Sequence, residues 1–107
     1  MRNNNNISKE INTLIPKLQQ YFMTQPVEKV YIVGSCSRGE ENENSDLDIV
    51  VNYIDSDDIS LMTIGGIISD LEKIAQRPID LIEEDCILPF AKETIERDKF
   101  IIYERTH

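Results

Sequence analysis

Gly34-Ser35-Cys36-Ser37-Arg38-Gly39, followed by Ser45-Asp46-Leu47-Asp48, is the stretch on which the reading of this chain turns. It lies between two apolar runs, Val30-Tyr31-Ile32-Val33 before it and Ile49-Val50-Val51 after it. Runs of that kind predict strands, so the whole reads as strand, phosphate-holding turn, strand. A strand sets residues i and i+2 on one face. Asp46 and Asp48 therefore project side by side, while Leu47, Ile49 and Val51 point to the opposite face. Two carboxylates on one face repel each other unless a hard divalent cation sits between them. Mg²⁺ takes one or two carboxylates and completes its shell with water and substrate phosphates, which makes a nucleoside triphosphate the natural substrate. Gly34 lets the backbone turn sharply and approach a ligand closely. A helix beginning near Ser35 would face the phosphates with its free N–H groups, and Ser35 and Arg38 add donors.

A plainer account of the same residues exists. Gly, Ser, Asp and Asn are ordinary turn residues, and acids at a strand start are often just solvated. A lone D-x-D would not separate the two accounts. The full string does, because G-S-x-x-R-G and then S-D-x-D, with ten residues between Ser35 and Asp46, is far more specific than either half.

Gly34-Ser35, Arg38-Gly39 and Ser45-Asp46-Leu47-Asp48 resemble the active-site motif of the DNA polymerase β-like nucleotidyltransferase superfamily, and most closely its minimal, MNT-type members. The resemblance covers most of the chain, from the first helix to Ile79-Asp80-Leu81, where Asp80 matches the position of the family's third carboxylate. The family motif usually has a basic residue where this chain has Cys36 and an alanine where it has Ser37. Those departures touch phosphate affinity more than metal chemistry. MNT-type proteins are typically encoded beside a HEPN-domain ribonuclease and act as its antitoxin. The resemblance thus implies a cognate HEPN toxin as partner, ATP and Mg²⁺ as nucleotide and metal, and a tyrosine hydroxyl of the toxin as acceptor.

Length and charge bound the rest. The 107 residues suit one domain, spanning 1–107, with one core. With 20 acidic against 11 basic residues the net charge is -9, which argues against nucleic acid as a bulk partner, since its phosphates would need neutralising. A basic protein surface suits it better. Cys36 and Cys86 lack metal-ligand spacing, so a reducing cytoplasm is the simplest setting. Cys36 reads as a passive small residue of the turn. Neither a signal peptide nor a membrane-length apolar run is present.

Along the chain, Asn3 to Asn6 read as a frayed lead-in. From Ile7, the spacing of Ile11, Leu14, Ile15, Leu18 and Phe22 predicts a helix with one stripe on a sheet. Pro16 predicts a kink or restart within it, Thr24-Gln25-Pro26 end it, and the first strand begins near Val27. Asp55 to Asp58 offer N-caps for a second helix reaching about Ala75, with Leu61, Ile64, Ile68, Leu71 and Ile74 inward. Gly65-Gly66 inside that helix mark a bend or a close backbone approach. Pro78 to Ile82 read as the third strand, with Asp80 and Ile82 on one face. Glu83, Glu84 and Asp85 read as a solvated turn. A short helix from about Ile87 to Asp98, with Leu88, Ala91 and Ile95 inward and Pro89 in its first turn, precedes a last strand at Phe100 to Tyr103. His107, at the end of the chain, carries no chemistry.

The fold class expected is α/β (α+β), a small mixed sheet of about four strands flanked by helices. In such a sheet, a third strand beside the second brings Asp80 to Asp46 and Asp48 and completes a three-carboxylate, two-metal site. Asp46 and Asp48 would hold both Mg²⁺ ions, Asp80 the metal that binds the attacking hydroxyl, and Gly34, Ser35 and Arg38 the phosphates. Asp80 is also placed to accept the hydroxyl proton. Two other classes stay open at this point: an antitoxin that masks its toxin by contact alone, and a transferase acting on a small hydroxylated molecule. The latter needs a pocket that a chain this short builds only as a homo-oligomer, whereas the former makes a hetero-oligomer with the toxin.

Overall fold

The computed structural model describes residues 8–34, 36 and 46–106. The asparagine run, Ile7 and His107 lie outside them. The element order is α1 (Lys9–Phe22), β1 (Val27–Val33), β2 (Leu47–Tyr53), a 3-10 turn (Ser56–Asp58), α2 (Leu61–Ala75), β3 (Ile79–Glu83), a second 3-10 turn (Glu84–Cys86), α3 (Pro89–Asp98) and β4 (Phe100–Glu104). The four strands form one mixed sheet in the order β3-β2-β1-β4, with β2 and β3 parallel and the other two pairs antiparallel. The α/β expectation of about four strands with flanking helices is met. No helix among the described residues is long and apolar enough to cross a membrane.

α1 begins where Ser8 accepts a hydrogen bond from the Ile11 amide at 3.1 Å, satisfying one of the free N–H groups of the first turn. Ile11, Leu14, Leu18 and Phe22 are buried as their spacing predicts, each worth about 1.5–3 kcal/mol on burial. Pro16 does not interrupt the helix, which runs unbroken from Lys9 to Phe22 with Pro16 exposed. The stripe that α1 buries lies on the other side, so packing holds the turn that proline weakens. The Tyr21 hydroxyl donates to Asp70 Oδ2 at 2.8 Å and joins α1 to α2.

α2 departs from expectation at its start. Asp55 to Asp58 do not cap it. Ser60 does, accepting from the Thr63 amide at 3.1 Å, while Ser56–Asp58 form a separate 3-10 turn. Its buried residues are Ile67, Leu71 and Ala75, with Ile64 and Ile74 packed beside them. Leu61, expected inward, is 86% exposed, because a helix starting at Ser60 places its first turn beyond the edge of the sheet's apolar face. Gly65 and Gly66 mark no close approach, since a Cβ at either would have nothing within 4 Å.

α1 and α2 cover one face of the sheet, enclosing Val27, Val30, Ile32, Leu47, Ile49, Val51 and Ile102. α3 covers part of the other, where Tyr31, Val33 and Val50 meet Ile82, Ile87 and Ile95. Leu88, expected inward, is 58% exposed, as it precedes the helix that Pro89 opens. Two contacts tie the chain's end to its middle: the Gln19 side-chain amide donates to the Ile102 carbonyl at 2.8 Å, and the Arg105 guanidinium donates to the carbonyls of Val27 and Gln25.

Candidate active site

β2 alternates as an amphipathic strand should. Leu47, Ile49 and Val51 enter the helix-covered core and leave Asp48 on the opposite face, the face that Asp46 shares by its two-residue offset. The parallel register sets Leu47 against Ile79, Asp48 against Asp80 and Ile49 against Leu81. Asp48 and Asp80 are thus direct neighbours on adjacent strands, about 4.8 Å apart in the backbone. The Leu47 amide, donating to the Pro78 carbonyl at 2.9 Å, locks the two strand entries together. Asp46 and Asp80 are exposed and Asp48 is half-buried.

β1 runs antiparallel to β2, with Val33 opposite Asp48, so its exit delivers Gly34 to the same end of the sheet. Gly34 adopts φ +73°. A Cβ built there would run into Asp48 Oδ2 and lie 3.4 Å from its Cγ, so only glycine permits this approach of carboxylate to turn. Cys36 points inward and is buried in the main core, where its Sγ donates to the Asp46 carbonyl at 3.6 Å. The position where the family motif usually has a basic residue therefore packs the turn against the acidic strand. Ser35 and Arg38, the expected phosphate donors, lie outside the described residues.

The donor set of three carboxylates beside a glycine turn is of the kind that suits Mg²⁺. Among the described residues, no three His, Cys, Asp or Glu side chains are gathered closely enough to hold a metal ion by themselves, and Asp48 leans instead over Gly34.

Two features of this end and face had no signal in the sequence. Arg77, just before β3, is buried and pairs with Glu10 of α1 at 3.2 Å. Its Nε and Nη1 are buried without a hydrogen-bond partner among the described residues. Glu84, expected to be solvated, is part-buried against Tyr31. Burial, followed by the charge of Glu84 and the hydrogen bond to it, pushes the Tyr31 phenol up to about 12. Lys99 sits 4.9 Å from the centre of the Tyr31 ring. Neither Arg77 nor Glu84 belongs to a motif, and only packing gives them partners.

Residues 11–104 match the family model described as nucleotidyltransferase domain. A protein of Methanocaldococcus jannaschii named "Putative protein adenylyltransferase MJ1379" is 37% identical over 73 residues, which cover 67% of this chain and 73% of that protein. Among solved structures, one described as a minimal nucleotidyltransferase superposes with a TM-score of 0.71 at 22% identity, covering 84% of this chain and 90% of that one. A second is the tri-AMPylated Shewanella oneidensis HEPN toxin in complex with MNT antitoxin, with a TM-score of 0.65 at 14% identity over 88% of this chain and 72% of that one. At such identities these structural likenesses speak for the fold.

Proposed function

The chain belongs to the nucleotidyltransferase domain family, and from that premise we propose that it transfers AMP from ATP to a tyrosine hydroxyl of a cognate HEPN toxin and thereby neutralises it. The observation that carries this reading is the pairing of Asp48 with Asp80 across parallel strands, at the end of the sheet where Gly34 turns. The MNT antitoxin and AMPylated HEPN toxin named for one structural neighbour support the choice of nucleotide and partner, as does the protein adenylyltransferase naming of the archaeal relative.

Asp46, Asp48 and Asp80 are the residues that would hold Mg²⁺, two ions in all. When bound, the metal supplies positive charge at the phosphates and at the attacking oxygen. Gly34, Ser35 and Arg38 hold the β and γ phosphates. The exposed Asp80 carboxylate faces the incoming hydroxyl and takes its proton. The freed oxygen bonds to the α phosphorus as the bond to pyrophosphate breaks, leaving AMP on the tyrosine and releasing pyrophosphate. Positioning and electrostatics account for most catalysis of phosphoryl transfer, so a chain of 107 residues suffices.

The test uses ATP labelled on the α phosphate, Mg²⁺ and the HEPN protein encoded beside this chain, with Asp46→Asn/Asp48→Asn alongside. Label on a toxin tyrosine, lost in the variant together with neutralisation, is the expected result. Neutralisation that survives in the variant, with no label, would replace this reading by masking through contact.

A further inference from the structure

The sheet face that carries Asp48 and Asp80 continues past Val50, Ile82 and Tyr31 to a feature the transfer reaction does not use. Between the Glu84–Cys86 turn and α3 lies a cavity of about 240 Å³ lined by Glu84, Asp85, Ile87, Lys92, Ile95 and Glu96. Three carboxylates against one ammonium make it a seat for a cation, and the two isoleucines give it apolar walls. Glu84 is its fixed point. Tyr31 donates to the Glu84 carboxylate, yet Glu84 Oε2 is buried without a hydrogen-bond partner among the described residues. A buried carboxylate oxygen lacking a donor is costly until one arrives. Glu96 already shares its charge with Lys99 at 2.9 Å, so the demand for a cation falls on Glu84 and Asp85.

We propose that this cavity receives an arginine side chain of the protein that accepts the nucleotide. The proposal rests on the reading that the acceptor is a protein. A guanidinium presents a planar fork that matches a carboxylate, and its alkyl stem would lie against Ile87 and Ile95. A nucleobase is uncharged and would leave the carboxylates uncompensated, and the net charge of -9 favours a basic partner throughout. Glu84 follows Asp80 by four residues, which at the rise of a strand is about 13 Å. The acceptor therefore presents its hydroxyl and its arginine about 13 Å apart, roughly two and a half turns of a helix. This spacing gives the chain a means of choosing which hydroxyl it modifies.

Titrating the isotopically labelled chain with N-acetyl-arginine amide, and following amide shifts by NMR, tests the cavity without any transfer. Saturable shifts at Glu84, Asp85, Ile87, Ile95 and Glu96 are expected, together with their loss in Glu84→Gln and in Asp85→Asn. The uncharged N-acetyl-citrulline amide is expected to give none. An equal response to both probes, or no saturable response at these residues, overturns the proposal. So does metal-free ATP shifting the same residues, which would assign the cavity to the nucleoside. In the transfer reaction with the HEPN protein, Glu84→Gln raises the acceptor KM roughly tenfold or more and leaves the ATP KM within about twofold. An unchanged acceptor KM overturns it. Absence of transfer altogether counts against the acceptor reading alone, because the titration stands without it.

Discussion

The carboxylate of Asp48 rests over the Cα of Gly34, where any β-carbon would collide with Oδ2. Gly34 also leaves β1 at φ +73°, a conformation that costs an L side chain roughly 1–2 kcal/mol. Backbone angle and free space are thus required of the same residue. The turn expected to hold phosphates and the strand expected to hold metal are packed against each other through it, and Cys36 bonds the two together a step further on.

Gly34→Ala accordingly strains the turn and displaces Asp48. Expected are a loss of roughly 1–3 kcal/mol in stability and a fall in AMP transfer of more than about tenfold, which takes 1.4 kcal/mol in the transition state. Thermal unfolding and labelled transfer measure the two. A variant with both at the level of the parent protein would show that the contact is dispensable.

Gly65→Ala and Gly66→Ala change an exposed helix surface with nothing near the added methyl. Each should stabilise α2 by up to about 1 kcal/mol, visible as a rise in Tm of a few degrees. Stability that drops instead would reveal a bend in α2 that depends on the pair.

Glu10 and Arg77 should respond unequally to removal. Arg77 is buried and Glu10 is mostly solvated. Glu10→Ala leaves a buried guanidinium unpaired and should cost about 1–3 kcal/mol. Arg77→Met leaves only a solvated carboxylate, fills similar volume and should be close to neutral. Chemical denaturation of the two variants checks the order, and the reverse order would refute it.

The raised Tyr31 phenol predicts a loss of stability in alkali. Its ordinary value is 10 and its folded value is about 12, so the fold favours the protonated form. Below pH 10 both folded and unfolded chains keep the proton and the contribution is complete. Between about pH 10 and 12 the unfolded chain loses the proton first, and stability falls as pH rises, by at most about 1.4 kcal/mol per unit for one group. Tyr21 and Tyr53 are raised as well, by burial first in each case. Tyr31→Phe should therefore reduce the slope of denaturation midpoint against pH without abolishing it. An unchanged slope would mean that Tyr31 titrates normally.

Periodicity alone delivered α1, the four strands and the end of α2 at Ala75, because a stripe at 3.6 or an alternation at 2 is a property of neighbours in sequence. It also placed Asp46 and Asp48 on one face of β2, and the motif singled out Gly34. It misjudged the start of α2, where Ser60 prevailed over four acidic candidates, and the burial of Leu61 and Leu88. Each error lay within a turn of a helix end, where the edge of the neighbouring sheet decides exposure and the spacing carries no information about that edge.

From sequence by itself, the chain's acids could be assigned to faces but not to partners. The neighbour of Asp48 is Asp80 only because β3 crosses over α2 and pairs parallel to β2 in one register, and a shift of one residue would turn Asp80 into the helix-covered core. Likewise Glu84 meets Tyr31, and Arg77 meets Glu10, across more than fifty residues of chain. Residue spacing sets which side chains share a face, but the packing of apolar faces sets which faces meet. That second step belongs to the tertiary structure, since it is the burial of Leu47, Ile49, Ile79 and Leu81 beneath α1 and α2 that holds the carboxylates side by side.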